Sequence, residues 1–215
     1  MPKMSKYGLG GLLAMTMLAA AASASPATGV DALRAFYRDV HSLRANFTQL
    51  QVDDAGEVLQ RMSGLFVLER PDSFRWEYSK PYQQIIISDG DTFRFYDVGL
   101  SQVTIRPVTN GLRATPAQLL AGGTALDQAF EVSPGGRHDG LAWVQLVPSG
   151  KYSDFKEIRI GLDGSTPTVM ELDDKLGGTT RIQFTDIKTN TKIDPQQFTL
   201  EIPEGVTVVD ARKKP

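Results

Sequence analysis

The chain of 215 residues contains no cysteine. Structural disulfides and thiolate chemistry are excluded, so the fold must be held by its core. Histidine is nearly as scarce. His41 and His138 are the two, too few for a His/Cys metal centre. The sequence has no G-x-S-x-G elbow, no phosphate-binding loop and no H-E-x-x-H motif. The acid pairs Asp53-Asp54, Asp89-x-Asp91 and Asp173-Asp174 all fall at predicted turns or strand ends. Aspartate is favoured there because its side chain bonds its own backbone, so a turn role is expected ahead of a catalytic or calcium role. An enzyme is not expected, nor a metal or cofactor. An excess of positive charge is missing as well, with 23 Lys and Arg against 25 Asp and Glu. That speaks against a nucleic-acid partner and gives no polybasic signal for an anionic membrane surface.

Beyond the first 24 residues no apolar run is long enough to cross a bilayer. Those first residues have the pattern of a secretory leader: a basic start (Lys3, Lys6), an apolar stretch from Leu9 to Ala22, and the cleavage signal Ala22-Ser23-Ala24. The expected organisation is a signal peptide over 1–24 and one exported domain over 25–215. Removing Lys3 and Lys6 leaves 21 of the 23 basic residues against 25 acids, a net charge of −4 with both histidines neutral.

What the chain does have is alternation. In Gly64–Asp97 an apolar strand reaches the turn Arg70-Pro71-Asp72-Ser73, and a second strand then places Phe74, Trp76 and Tyr78 on one face and Arg75 and Glu77 on the other. Gln84 to Ser88 continues as an apolar strand. Asp89-Gly90 marks a hairpin, and Thr92 to Tyr96 returns as an aromatic strand. Similar runs, separated by glycine pairs and Asp-Gly or Ser-Gly turns, recur through most of the chain as far as Phe198–Ile202 and give about eleven strands in all.

Helices are few. Val30, Leu33, Phe36, Tyr37, Val40 and Leu43 recur at three and four residues, which predicts an amphipathic helix from Val30 to Arg44, with Thr28 and Asp31 as a capping pair. A second, short helix is predicted after Thr115, with Pro116 in its first turn and Gly122-Gly123 at its end. The shared apolar face of Phe66, Leu68, Phe74, Trp76, Tyr78, Phe93 and Phe95 is either an ordinary core or the wall of a cavity. A barrel-like sheet of this many strands leaves an interior that side chains alone need not fill, and short covering helices would let it open.

The run Gly64-x-Phe66-x-Leu68-x-Arg70-Pro71-x-x-Phe74-Arg75-Trp76-x-Tyr78-x-x-Pro81 resembles the LolA family of periplasmic lipoprotein carriers. Further pieces agree in order and spacing: Phe47-Thr48-Gln49, Ser88-Asp89-Gly90, Tyr96-Asp97, Thr115-Pro116, Asp173 to Gly177, and Phe198 to Val206. The resemblance implies a mainly β fold, an incomplete antiparallel barrel with a helical lid over an apolar cavity. It implies a monomeric chaperone that binds the acyl chains of triacylated lipoproteins, receiving them from a LolCDE-type inner-membrane ABC transporter and delivering them to a LolB-type outer-membrane receptor. Carried over residue by residue, Arg70 with Pro71 becomes the lid latch. Phe47, Phe66, Leu68, Phe74, Trp76, Ile86, Phe93, Phe95 and Met170 become the acyl-chain wall. Leu33, Phe36, Val40, Pro116, Leu119 and Leu120 become the lid. A carrier of another lipid, such as a glycolipid, and a lipid-sensing regulatory module of the RseB type are the alternatives this fold leaves open. A lipid hydrolase ranks behind both, because no nucleophile and base can be paired.

Overall fold

A computed structural model describes residues 28–108, 115–122, 126–150 and 153–212. The predicted leader lies outside these residues. The chain opens with helix α1 (Gly29–Asp39), capped by Thr28. The Thr28 hydroxyl accepts from the Asp31 N–H while the Asp31 carboxylate accepts from the Thr28 N–H, so two otherwise orphaned donors are satisfied together. The helix ends at Asp39, short of the Arg44 that the sequence periodicity predicts. Val40 turns extended, and its N–H closes onto the Phe36 carbonyl. Leu43, which continues the helical spacing, also starts the period-two run Leu43, Ala45, Phe47. It pairs with Leu68 and Thr189 in a sheet, and the ladder outweighs one further helical turn.

Six strands follow: β1 (Ser42–Val52), β2 (Val58–Glu69), β3 (Ser73–Lys80), β4 (Gln84–Asp89), β5 (Thr92–Asp97) and β6 (Gln102–Pro107). Helices α2 (Pro116–Ala121) and α3 (Leu126–Ala129) interrupt them. Then come β7 (Phe130–His138), β8 (Leu141–Pro148), β9 (Phe155–Asp163), β10 (Thr166–Asp174), β11 (Thr179–Thr189), a 3-10 turn at Pro195–Phe198 and β12 (Thr207–Asp210). They form one twelve-stranded sheet in the order β12-β6-β5-β4-β3-β2-β1-β11-β10-β9-β8-β7. Among the described residues the two edge strands, β12 and β7, do not pair with each other, so the sheet is unclosed. Its ladders are antiparallel except for β12, which joins β6 in parallel.

Three details depart from the sequence reading. Phe198–Ile202 is not a strand: Asp194 caps the 3-10 turn, its carboxylate accepting from the Gln196 N–H, and Phe198 is buried against the sheet's outer face. The last strand is Thr207–Asp210 instead. Where the sequence predicts a strand over Phe130–Ser133, strand β7 continues to His138, with an irregular register between Pro134 and Gly136 absorbing the proline.

The sheet has two apolar faces. On the inner face, β1, β2, β3, β5, β8, β9, β10 and β11 contribute to one cluster that also takes in α1 and α2. Helix α1 lies over β7 to β10 and α2 over β2 and β3, yet the two helices bond to each other. The sheet must therefore curl until its halves face. Two glycines permit close approaches. A Cβ at Gly29 would stand 1.9 Å from the Trp143 carbonyl oxygen, where α1 meets β8, and one at Gly64 would stand 1.8 Å from the Glu77 carbonyl oxygen within the sheet. The outer face carries a separate cluster of Val67, Ile85, Ile87, Tyr96, Val103 and Ile105, covered by Ile193 and Phe198 from the C-terminal segment.

Candidate functional site

The two helices over the inner face are short. Six residues cannot sustain α2 in isolation, so it depends on its caps and its packing. Thr115 and Gln118 form a reciprocal capping box at its start, Pro116 fills the first turn, and the Gly122 N–H closes onto the Gln118 carbonyl. Four of its six residues, Ala117, Leu119, Leu120 and Ala121, are buried.

At the helix end stands Arg70, the first residue of the β2–β3 turn. Its Nε donates to the Val40 carbonyl at 2.7 Å, one terminal nitrogen to Ala121 at 2.6 Å and the other to Leu120 at 3.1 Å. One guanidinium thus ties the end of α1, the end of α2 and the sheet together. Its five donors in a rigid planar fork, with no acceptor to be satisfied, suit three carbonyls set apart better than the compact ammonium of a lysine. The same group lies 4.9 Å from the ring centroids of both Phe36 and Tyr37. Burial lowers its pKa from the ordinary value, against the opposing pull of Tyr37 and Asp72. A second tie runs beside it: the Tyr37 hydroxyl donates to the Leu119 carbonyl at 2.6 Å. Burial raises that phenol well above its usual range.

Below the helices the wall is aromatic. Trp76 stands 4.6 Å from Phe47, 4.8 Å from Phe66 and 6.1 Å from Phe184, centroid to centroid. Phe66 also meets Phe184 at 6.0 Å, and Phe47 meets Tyr78 edge-on at 5.3 Å. Leu68, Phe74, Phe93, Ile160 and Met170 complete a continuous apolar surface. Toward the end of the sheet that carries the β1–β2 and β3–β4 turns, the wall becomes half-exposed at Gln49, Met62, Tyr78, Ile86 and Phe95. The cover is therefore tight at the Arg70 end and looser at the other.

The family model described as "Outer membrane lipoprotein carrier protein LolA" matches residues 38–201. The chain belongs to the LolA family. The outer-membrane lipoprotein carrier protein of Methylococcus capsulatus is 39% identical over 189 residues, covering 88% of this chain and 91% of the relative. Its counterpart from Methylobacillus flagellatus is 39% identical over 183 residues, 85% of this chain and 89% of that one. Among solved structures, an uncharacterized conserved protein from Thermus thermophilus superposes with a TM-score of 0.56 at 13% identity, covering 84% of this chain and 96% of that one, a likeness of fold alone. The LolA family is one of carriers and not a class of enzymes.

The structure places the residues singled out for a LolA-type site as follows. Phe47, Phe66, Leu68, Phe74, Trp76, Phe93 and Met170 are buried in the inner cluster, with Ile86 and Phe95 packed against it half-buried. Leu33, Phe36, Val40, Leu119 and Leu120 join the same cluster from the helices. Pro116 sits in the first turn of α2, half-buried, and Pro71 is exposed in the turn after Arg70. Several participants escaped sequence reasoning: Phe184 and Ile160 in the wall, Met62 at its half-exposed end, and two polar ones, Tyr37 and Gln49. Tyr37 was visible as part of the apolar stripe of α1, and its polar tip was the available sign that it would seek a partner across the fold. Gln49, on β1, accepts from the Tyr78 hydroxyl at 3.2 Å, and a glutamine on an inward-facing period-two position was the signal there.

Proposed function

We propose that this chain carries lipoproteins across the periplasm, sheltering their acyl chains against the inner face of the sheet. Residues 1–24 direct export and are removed. A LolCDE-type transporter in the inner membrane supplies the triacylated cargo, and a LolB-type receptor at the outer membrane accepts it. The chain works as a monomer. Acyl burial is worth roughly 0.8 kcal/mol per CH₂, so a free lipoprotein would not cross water unaided. With no energy source at the outer membrane, hand-over requires a receptor that binds more tightly than the carrier does.

The observation that carries this reading is Arg70. An aromatic interior whose cover is fastened by one side chain to three carbonyls is closed reversibly. Cargo entering the interior displaces the helices, and re-forming the three bonds drives it out again. The test is delivery. The chain is loaded with a triacylated lipoprotein from transporter-bearing vesicles and then mixed with the receptor. The wild type should pass its cargo on, while Arg70→Leu should accept cargo and keep it. Delivery by Arg70→Leu at the wild-type rate would overturn the latch, and failure of the wild type to take up any lipoprotein would overturn the carrier reading.

A further inference from the structure

The chain has two tryptophans, and their indole N–H groups differ. Trp143 donates to the His138 carbonyl at 3.2 Å. The Trp76 indole N–H, in a side chain only 2% exposed, has no hydrogen-bond partner among the described residues. Buried donors without acceptors are rare in native interiors, and each calls for an explanation. The rings of Phe47, Phe66 and Phe184 offer the Trp76 N–H no conventional acceptor. The Tyr78 hydroxyl is near enough to feel the indole but lies outside hydrogen-bond geometry with it. That hydroxyl donates its own proton to Gln49 Oε1 at 3.2 Å, so its oxygen keeps acceptor capacity but is not aligned with the indole. Tyr78 and Gln49 lie toward the half-exposed end of the wall. A short run of polar groups therefore leads from the looser end of the lid to an unused donor deep among the aromatics.

We propose that the Trp76 indole N–H is the anchor for an acyl carbonyl of the bound lipid, an ester oxygen being the acceptor. This rests on the carrier reading above and adds the atom that registers the cargo. The chemistry on the two sides is complementary. Indole is a donor and never an acceptor, while an ester carbonyl is an acceptor and never a donor. Each would be costly to bury alone. With the carbonyl at Trp76, the polar head of the lipid lies on the Tyr78 and Gln49 side. The hydrocarbon runs past Phe66, Leu68 and Phe74 toward Arg70. Trp76 then acts as a positioning residue that tells an acyl chain from an alkyl chain and fixes how far its tail reaches under the lid.

The test uses the whole mature chain and two synthetic lipopeptides with acetylated N-termini. In one, two palmitoyl chains are ester-linked to a thioglyceryl cysteine. In the other, hexadecyl ethers replace both esters. The wild type should bind the ester about tenfold more tightly, the worth of one buried hydrogen bond made against one left unmade. In Trp76→Phe, which keeps an aromatic ring but loses the N–H, the ester-to-ether ratio should fall to near one. The nitrogen–proton NMR spectrum of the wild type gives the second readout. The Trp76 indole proton should move downfield with the ester and not with the ether, while the Trp143 signal stays in place as the internal control for folding. Equal binding of both lipopeptides by the wild type, a preference that survives in Trp76→Phe, or an unmoved Trp76 signal would each overturn the anchor alone. Binding of neither lipopeptide would overturn the anchor together with the carrier reading.

Discussion

The sheet has a cover on each face, and the two are attached by different chemistry. The inner cover, α1 and α2, is fastened across the fold by side chains. Arg70 holds three carbonyls and Tyr37 holds one. The outer cover is the C-terminal segment. Phe198 and Ile193 plug its aliphatic cluster, and β12 then pairs along β6 from Thr207 to Asp210. The flanking backbone bonds from Thr207 to Ser101 and from Ala211 to Ile105 extend that ladder. Backbone pairing does not depend on the identity of any one side chain, and it opens only when a strand leaves its sheet. A side-chain fastening opens when one residue lets go. On the reading proposed above, the inner cover is the one that comes off.

The largest expected effect lies on the outer side. Phe198→Ala should cost about 3 kcal/mol of stability, the usual range for deleting a buried phenyl ring, read as a lower urea midpoint. Lipopeptide affinity should not move. A parallel loss of affinity would mean that the outer cover also shapes the site, and the contrast between the faces would fail. Arg70→Leu should cost less, about 2 kcal/mol, because several of its bonds are made at helix ends that water can reach once the cover loosens. Its signature should be local. Amide exchange in α2 should rise well before the β1–β2 and β1–β11 ladders open.

The two tyrosines of the inner face give the comparison a pH dependence. Burial raises the Tyr37 phenol above its usual range and pushes Tyr78 up to about 12. The unfolded chain ionises both near pH 10, while the folded chain keeps them protonated. Above pH 10 the unfolded state therefore binds fewer protons. The stability these groups contribute is complete below pH 10 and falls as pH rises toward 12, by roughly 1.4 kcal/mol per pH unit for each tyrosine. Tyr37→Phe should lower stability at pH 7 by about 1 kcal/mol, through the Leu119 carbonyl left without its donor. It should also make the alkaline decline shallower. A decline of unchanged slope in Tyr37→Phe would show that the inner face is not where the alkaline sensitivity resides.

Much of this was legible beforehand, for physical reasons that differ by region. Phe74, Trp76 and Tyr78 alternate with charged neighbours, and period two assigns their face without knowledge of the partner strands. Thr115-Pro116 announced α2 because capping is local chemistry, complete within four residues. What stayed hidden depends on distant partners. Leu43 satisfies a helix and a strand equally well on paper, and only its pairing with Leu68 and Thr189 decides between them. Phe198 and its flanks have strand composition, yet the Asp194-Pro195 cap and the outer cluster bend them into a turn. The Trp76 donor was invisible in principle, since an absent hydrogen bond is a property of the assembled interior.

The smallest effect tests the contrast most closely, because the two covers contain the same kind of cap. Thr115 Oγ1 accepts from the Gln118 N–H at 3.2 Å to start α2, and Asp194 Oδ1 accepts from the Gln196 N–H at 3.0 Å to start the outer turn. Replacing either by alanine should cost about 1 kcal/mol or less. The cost should be spent differently. Helix α2 is held at its first turn by its own capping box and at its last by Arg70. Thr115→Ala should therefore raise exchange at Gln118 and Leu119 about fivefold while the sheet stays protected. The same change made on Arg70→Leu should add little, since a cover already released no longer depends on its cap. Asp194→Ala should raise no local exchange, only the small global increment, because the segment it starts is pinned further along by β12. If Asp194→Ala loosens its own turn as freely as Thr115→Ala loosens α2, both covers are mobile, and the latch at Arg70 is not what sets the inner face apart.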